Sequence, residues 1–126
     1  MKKIIIAIII FVVFITAGVL EQVFLHKYFY SLRDKTNEVR VLVESKDFET
    51  AHEKTVEMQK SWSSKKHFIE AIISHNETKE ITMRLAELEG YISASDDKSA
   101  IATASIMADY CENLTHILGF CWDTIL

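Results

Sequence analysis

Among the residues of this chain, the side chains best suited to metal or proton chemistry are five histidines: His26, His52, His67, His75 and His116. His67 and Glu70 are three positions apart, which would put them on one face of a helix, and His75 follows soon after. A zinc site takes three or four ligands, usually in a recognisable spacing, and the sequence contains neither an HExxH pair nor a CxxC pair. We therefore predict no metal and no cofactor, and retain His67, Glu70 and His75 as the candidate ligands should a metal site exist.

The two cysteines, Cys111 and Cys121, are too few for a disulfide framework. Ten residues along a helix span about 15 Å, whereas a disulfide needs Cα atoms within about 7 Å, so the two thiols cannot join on one helix. A catalytic thiolate needs electropositive surroundings, and Asp109 and Glu112 supply the opposite. We predict buried free thiols, with an intermolecular disulfide as the alternative. Because the chain also lacks a Gly-rich phosphate loop and a GxSxG motif, we predict that it is not an enzyme.

The first twenty residues contain seventeen consecutive uncharged residues, Ile4 to Leu20. A cleavable leader has an apolar core of about 7–15 residues before a small-residue cleavage site, and Thr16-Ala17-Gly18 matches such a site poorly. The sequence HKYFY at 26–30 supplies the cation and aromatic side chains typical of a membrane interface. We therefore predict an uncleaved signal-anchor helix at residues 1–25, which contacts the lipid bilayer through residues 4–25.

Charge predicts the orientation of this anchor and excludes one class of partner. Lys2 and Lys3 precede the apolar segment and Glu21 follows it, so the positive-inside tendency places the N-terminus in the cytoplasm and residues 26–126 outside a single-pass protein of the cell membrane. Secretion after leader cleavage is the alternative. The formal charge is −4 overall and −6 for residues 21–126, which argues against nucleic acid as a partner.

Residues 26–126 are predicted to be all-α, because the chain has no proline and three glycines. Apolar residues at helical spacing predict that the anchor continues into a small antiparallel bundle of about four helices. The stripe of the first helix is predicted at Phe24, Tyr28, Leu32, Val39 and Leu42, and the second helix at about 47–73. The later helices are predicted from these features: a capping box at Ser74–Glu77, a 4-3-4 stripe at Ile81, Leu85, Leu88 and Ile92, a cap at Ser95 or Asp96, and a last stripe running from Ile101 through Cys111 and Leu118 to Trp122 and Ile125.

Several residues from Trp62 onward carry a family resemblance. They are Trp62, the helix start His75-Asn76-Glu77, the stripe Ile81, Leu85, Leu88 with Tyr91-Ile92, the acidic turn Asp96-Asp97 and the final TIL. In this pattern the chain resembles an uncharacterised domain-of-unknown-function family of small, N-terminally anchored helical membrane proteins of spore-forming Gram-positive bacteria. The resemblance covers roughly residues 20–125. It implies an anchor and a helical domain, with no assigned reaction and no functional residues to carry over.

Two functions follow as expectations. The first is a non-enzymatic, membrane-tethered helical module that mediates protein–protein interaction as an accessory to another membrane protein. Its partner is another membrane protein or a second copy of itself. Trp122 and the aromatic residues of the first helix are candidate dimer contacts. The second is a sensor domain that binds a metal or small ligand through His67, Glu70 and His75.

Overall fold

The computed structural model describes the backbone of residues 1–125 and the side chains of residues 1–117. Over this range the chain forms four α-helices: α1 (Lys2–Glu44), α2 (Phe48–Glu70), α3 (His75–Ser93) and α4 (Asp97–Ile125). The prediction of an all-α protein, with a long apolar N-terminal helix that continues into a helical bundle, is confirmed. The predictions for the side chains of Leu118, Cys121, Trp122 and Ile125 fall outside the described residues.

Helix α1 is 43 residues long and has two different halves. In the first half the large apolar side chains are exposed to about half or more of their area, from Ile4 through Ile15. In the second half one stripe is buried: Leu25, Phe29, Leu32, Thr36, Val39 and Val43. The predicted stripe differs from this buried stripe at three positions. Phe24, Tyr28 and Leu42, predicted as members of the stripe, lie at its edge and are only half-buried.

The four helices pack as a ring, in which each helix contacts its sequence neighbours and α4 closes against α1. Short turns connect antiparallel neighbours, as expected for an up-down-up-down bundle. The core runs the length of the bundle, and its largest buried side chains include Trp62 and Phe29. Among the described side chains, five threonines are also buried. Thr36 and Thr55 satisfy their hydroxyls by donating to the carbonyl four residues earlier, at 2.7 Å and 2.8 Å.

The two turns farthest from the N-terminal apolar segment, 45–47 and 94–96, are here called the distal turns, and they share one geometry. Lys46 and Ser95 adopt positive φ angles of 66° and 55°. In each turn the next amide, that of Asp47 or Asp96, donates to the carbonyl five residues earlier at 2.9 Å, which defines a Schellman motif. The aspartate then accepts from the amide three residues later, Thr50 or Ser99, at 3.2 Å and so caps the following helix.

The remaining turn, residues 71–74, is called the proximal turn, because it lies beside α1 close to the apolar segment. Its sequence is Ala-Ile-Ile-Ser. Ser74 caps α3, but its hydroxyl accepts from the amide of Asn76 rather than from Glu77. The carboxylate of Glu77 accepts instead from the hydroxyl of Tyr110 on α4. The predicted helix start is therefore right, while the reciprocal capping box is wrong, because Glu77 is used to join two helices.

Candidate functional site

The first candidate feature is the apolar segment of α1. This helix is long and apolar enough to cross a membrane, and the apolar window that meets this criterion is not buried against the rest of the protein. Its large apolar side chains are exposed rather than packed against the bundle: Phe11 is 65% exposed and Phe14 is 73% exposed. Such a helix can serve as a membrane anchor or as a signal sequence.

A cluster of four aromatic residues lies where the bundle begins, and we call it the aromatic cluster: Phe24, Tyr28, Trp62 and Phe68. The ring centroids of Phe24 and Phe68 are 5.5 Å apart in an edge-to-face arrangement, and those of Tyr28 and Trp62 are 6.2 Å apart. The indole Nε1 of Trp62 donates to the hydroxyl of Thr82 at 2.8 Å. The cluster therefore ties α1, α2 and α3 together near the proximal turn.

Lys65 completes the aromatic cluster. It lies one turn beyond Trp62 on α2, and its ammonium is 4.7 Å from the centroid of the Tyr28 ring and 5.9 Å from that of Phe24. This geometry is a cation–π contact that covers the aromatic faces with a charged, hydrated group. Sequence reasoning does not single out Lys65, since its aromatic partners lie on another helix.

The hydroxyl of Tyr28 is enclosed by this arrangement. Among the described residues it has no hydrogen-bond partner that meets normal geometry. Burial raises the pKa of Tyr28 above its ordinary value, because the phenolate would lose its hydration. Tyr28 therefore stays neutral and acts as a packing surface rather than as a proton donor or acceptor at neutral pH.

The three candidate ligands come together at the proximal turn, around the carboxylate of Glu70. His75 Nδ1 is 3.2 Å from Glu70 Oε1, and His67 Nδ1 is 3.7 Å from Glu70 Oε2. Burial acts to raise the pKa of the Glu70 carboxyl, but the hydrogen bond from Thr78 and the charges of Lys66 and His75 outweigh it, so that this pKa lies below its ordinary value. The arrangement is an ion-pair cluster.

This cluster differs from a metal site in its exposure. The side chains of His67 and His75 are 92% and 74% exposed, whereas metal-ligating histidines are held by a surrounding shell of hydrogen bonds. Within residues 1–117, no group of three or more His, Cys, Asp or Glu side chains is arranged to hold a metal ion. Of the other histidines, His52 makes an inter-helix pair with Glu89, Nε2 to Oε1, at 3.0 Å.

Cys111 is fully buried, as predicted. Burial raises the pKa of its thiol to about 12, so that almost none of it is thiolate at neutral pH. The thiol behaves as a small apolar side chain in the core.

A shallow groove runs along the outer surface between α1 and α2. Its lining consists of Asp34, Asn37, Glu38, Val41, Leu42 and Lys54. Lys54 donates to Glu38 at 2.6 Å across the groove, and Val41 is 56% exposed. Most of the exposed lining of the groove is apolar, and charged side chains flank it.

The fold and these features define a class of protein: an all-α chain whose long apolar N-terminal helix is continuous with one wall of a helical bundle. Within that class, the chain belongs to the family described as Domain of unknown function (DUF4363), whose model matches residues 19–123. The match covers the bundle and begins within the apolar segment, in agreement with the resemblance to an uncharacterised family. No curated protein and no solved structure matches the chain.

Proposed function

We propose that the protein is a non-enzymatic, membrane-tethered helical module that mediates protein–protein interaction, as an accessory to another membrane protein. The observation that carries this proposal is the continuity of α1, which runs from Lys2 to Glu44 without a break. We further propose that residues 1–25 remain attached as a signal anchor, with the N-terminus in the cytoplasm and the bundle outside the cell membrane, and that the family consists of small membrane proteins of spore-forming Gram-positive bacteria.

The continuity of α1 favours a docking role over a role that needs free reach. A flexible linker would let the domain sample a large volume, whereas a helix that serves as both anchor and bundle wall fixes the domain's height and orientation. A domain held in this way meets partners that lie in the same bilayer and rise to the same height.

The proposal is tested by affinity purification of the full chain from its native membranes in mild detergent, followed by mass spectrometry. The matched control carries an unrelated apolar helix in place of residues 4–20, which keeps the tether and the bundle. If the bundle provides the contact, both chains retain the same partner. A monomeric protein that purifies alone from cells at all growth stages would overturn the proposal.

Anchor and leader are separated by a different measurement. The intact mass and N-terminus of protein from native membranes should correspond to the uncleaved chain. Mature protein in the medium that begins near Val19 would show a cleaved leader and would remove the tether from the proposal.

A metal- or small-ligand-binding sensor is the second candidate function, and one observation favours it: His67 and His75 both contact Glu70. We rank it below the first because both histidines are exposed and the contacts are satisfied as ion pairs. Metal analysis of the purified full chain, together with the melting of a His67→Ala/His75→Ala double variant, decides between them. Bound metal that is lost in the variant would favour the sensor.

A further inference from the structure

We propose that the proximal turn is a second membrane contact: Phe68 and Ile73 lie in the interfacial layer of the bilayer that α1 crosses. This inference rests on the proposed anchor and extends it, since it assigns the occupant of a specific apolar surface. The occupant is the lipid surface itself rather than another protein.

The first argument is one of height along α1. A helix needs about 20 apolar residues to cross a hydrocarbon layer of about 30 Å. In α1 the uncharged run extends from Ile4 to Leu20, and apolar residues resume at Val23 after Glu21 and Gln22. Phe68 packs against Phe24, the next residue of α1. Since α2 is antiparallel to α1 and ends at Glu70, the two residues after Phe68 descend by about 3 Å, to the level of Gln22, and the proximal turn follows beyond them. The proximal turn therefore reaches the boundary of the hydrocarbon layer whenever α1 crosses it.

The second argument is the chemistry of the surface that arrives at this height. Phe68 is 51% exposed, although a phenylalanine at the edge of a soluble bundle is normally covered. Ile72 and Ile73 are half-buried and line a cleft of about 260 Å³ that also includes Ile117, which is 60% exposed. Apolar and aromatic side chains at this depth are favoured by partition into the interface.

The third argument is continuity with the lipid-facing part of α1. Leu20 and Val23 are 64% and 47% exposed, so that the apolar surface extends from the anchor onto the proximal end of the bundle. A lipid surface covers both parts at once, whereas a protein partner would need to match a turn and an embedded helix together.

Charge around the turn is compatible with lipid headgroups. Lys65 and Lys66 lie one turn before Phe68 and Ile69, within reach of headgroup phosphates. The nearest acidic side chain along α2, Glu70, forms an ion pair with Lys66 at 3.9 Å and contacts the rings of His67 and His75. The cleft also contains the carboxylate of Glu77, which accepts from the hydroxyl of Tyr110. Around it the turn presents cations and apolar groups together, as a membrane-surface segment does.

The experiment places nitroxide labels on the full chain in lipid nanodiscs of phosphatidylcholine and phosphatidylglycerol. Single cysteines are introduced at Phe68 and Ile73 in a Cys111→Ala/Cys121→Ser background. Matched controls are labels at Val41 and Ile106, which are exposed to similar extents, 56% and 49%, but lie higher on the bundle. A label at Phe11 reports on the anchor. Oxygen, which concentrates in lipid, and a nickel chelate, which stays in water, compete as relaxation agents.

At Phe68 and Ile73, the expected ratio of oxygen to nickel accessibility is well above the ratio at the control sites Val41 and Ile106. The ratio should be highest at Phe11. Equal ratios at Phe68, Val41 and Ile106, with Phe11 in lipid, would overturn the second contact and leave the anchor intact. Protection of Phe68 from both agents would overturn it in favour of a protein partner. A water-exposed Phe11 would instead remove the anchor. Because Phe68 is already half exposed, the fold should tolerate a label there even if the Ile73 variant does not fold. Circular dichroism of both labelled variants would show this.

Discussion

The two ends of the bundle solve the same problem, a tight connection between antiparallel helices, with opposite chemistry. The distal turns, 45–47 and 94–96, are polar, use a positive φ and reuse one aspartate as the cap of the next helix. They are also tied to each other, because Lys46 forms an ion pair with Asp97. The proximal turn is apolar, and in the described chain its residues have no positive φ.

The difference teaches where water is expected. A connection made of polar side chains suits an aqueous end, whereas isoleucines in a turn are costly in water unless something covers them. The connections of the bundle therefore change along its axis, from the polar distal turns to the apolar run of the proximal turn. The following predictions either break this gradient or sharpen it, beginning with the largest effect.

The largest effect is expected in the aromatic cluster. Trp62→Ala removes a buried indole that is 2% exposed and leaves Thr82 without its donor, and it should destabilise the fold by about 3–5 kcal/mol. Urea unfolding followed by circular dichroism in mild detergent measures this. The distal comparison is Leu88→Ala, for which a loss of roughly 2–5 kcal/mol is expected. A loss below about 1 kcal/mol at Trp62, as for a surface residue, would show that the aromatic cluster is not part of the core.

Helix caps provide the next contrast. Asp47→Ala and Ser74→Ala each remove a cap, one distal and one proximal, and each should cost about 1 kcal/mol in water. If the proximal turn lies in the interface, the loss at Ser74 should be larger in bilayers than in detergent, because an unpaired amide is more costly where water is scarce. Equal losses at both sites in both media would contradict the gradient.

Relief of the positive φ at a distal turn should stabilise the protein. Ser95→Gly removes the left-handed strain of an L-residue and should gain roughly 0.5–1 kcal/mol after the added entropy of the unfolded chain is subtracted. The matched control is Ser93→Gly, two residues earlier in α3, where glycine should instead cost about 0.5–1 kcal/mol. Thermal unfolding of both variants checks the opposite signs, and a loss at both positions would contradict the assigned turn.

The smallest effect concerns acid. The hydrogen bond from His52, then that from Ser93, lowers the pKa of Glu89, and the hydrogen bond from Lys46 lowers the pKa of Asp97. A carboxyl whose folded pKa is lowered contributes stability that is present above its ordinary pKa and is lost as the pH falls through the folded value. The melting temperature should therefore decline modestly as the pH falls below about 4.5. Glu89→Gln and Lys46→Met should each flatten this decline, and an unchanged acid limb in both would show that these pairs do not contribute.

Much of this fold is predictable from periodicity alone. The strict 4-3-4 spacing of Ile81, Leu85, Leu88 and Ile92 gives α3 its buried face without ambiguity, and all four are buried. In α1 the same reasoning errs by one residue, because Phe24 and Tyr28 form a stripe as regular as that of Leu25 and Phe29. The packing of α1 against both α4 and α2 decides between the two stripes.

The candidate site is less predictable, since it depends on register between helices. The sequence places His67, Glu70 and His75 near one another, but their exposure follows from the position of the proximal turn at the end of the bundle. Lys65 over the aromatic rings and the closeness of Phe68 to Phe24 require the pairing of α2 with α1. Local spacing carries no record of that pairing.

The unbroken course of α1 has a mechanical consequence. At about 1.5 Å per residue its 43 residues measure about 65 Å, and a membrane-spanning helix tilts when its apolar length exceeds the thickness of the bilayer. With no joint between the embedded half and the bundle, such a tilt would rotate the whole domain by the same angle. A thinner bilayer would then move one side of the bundle toward the lipid and the other side away from it. The orientation of the domain relative to the membrane would therefore depend on bilayer thickness.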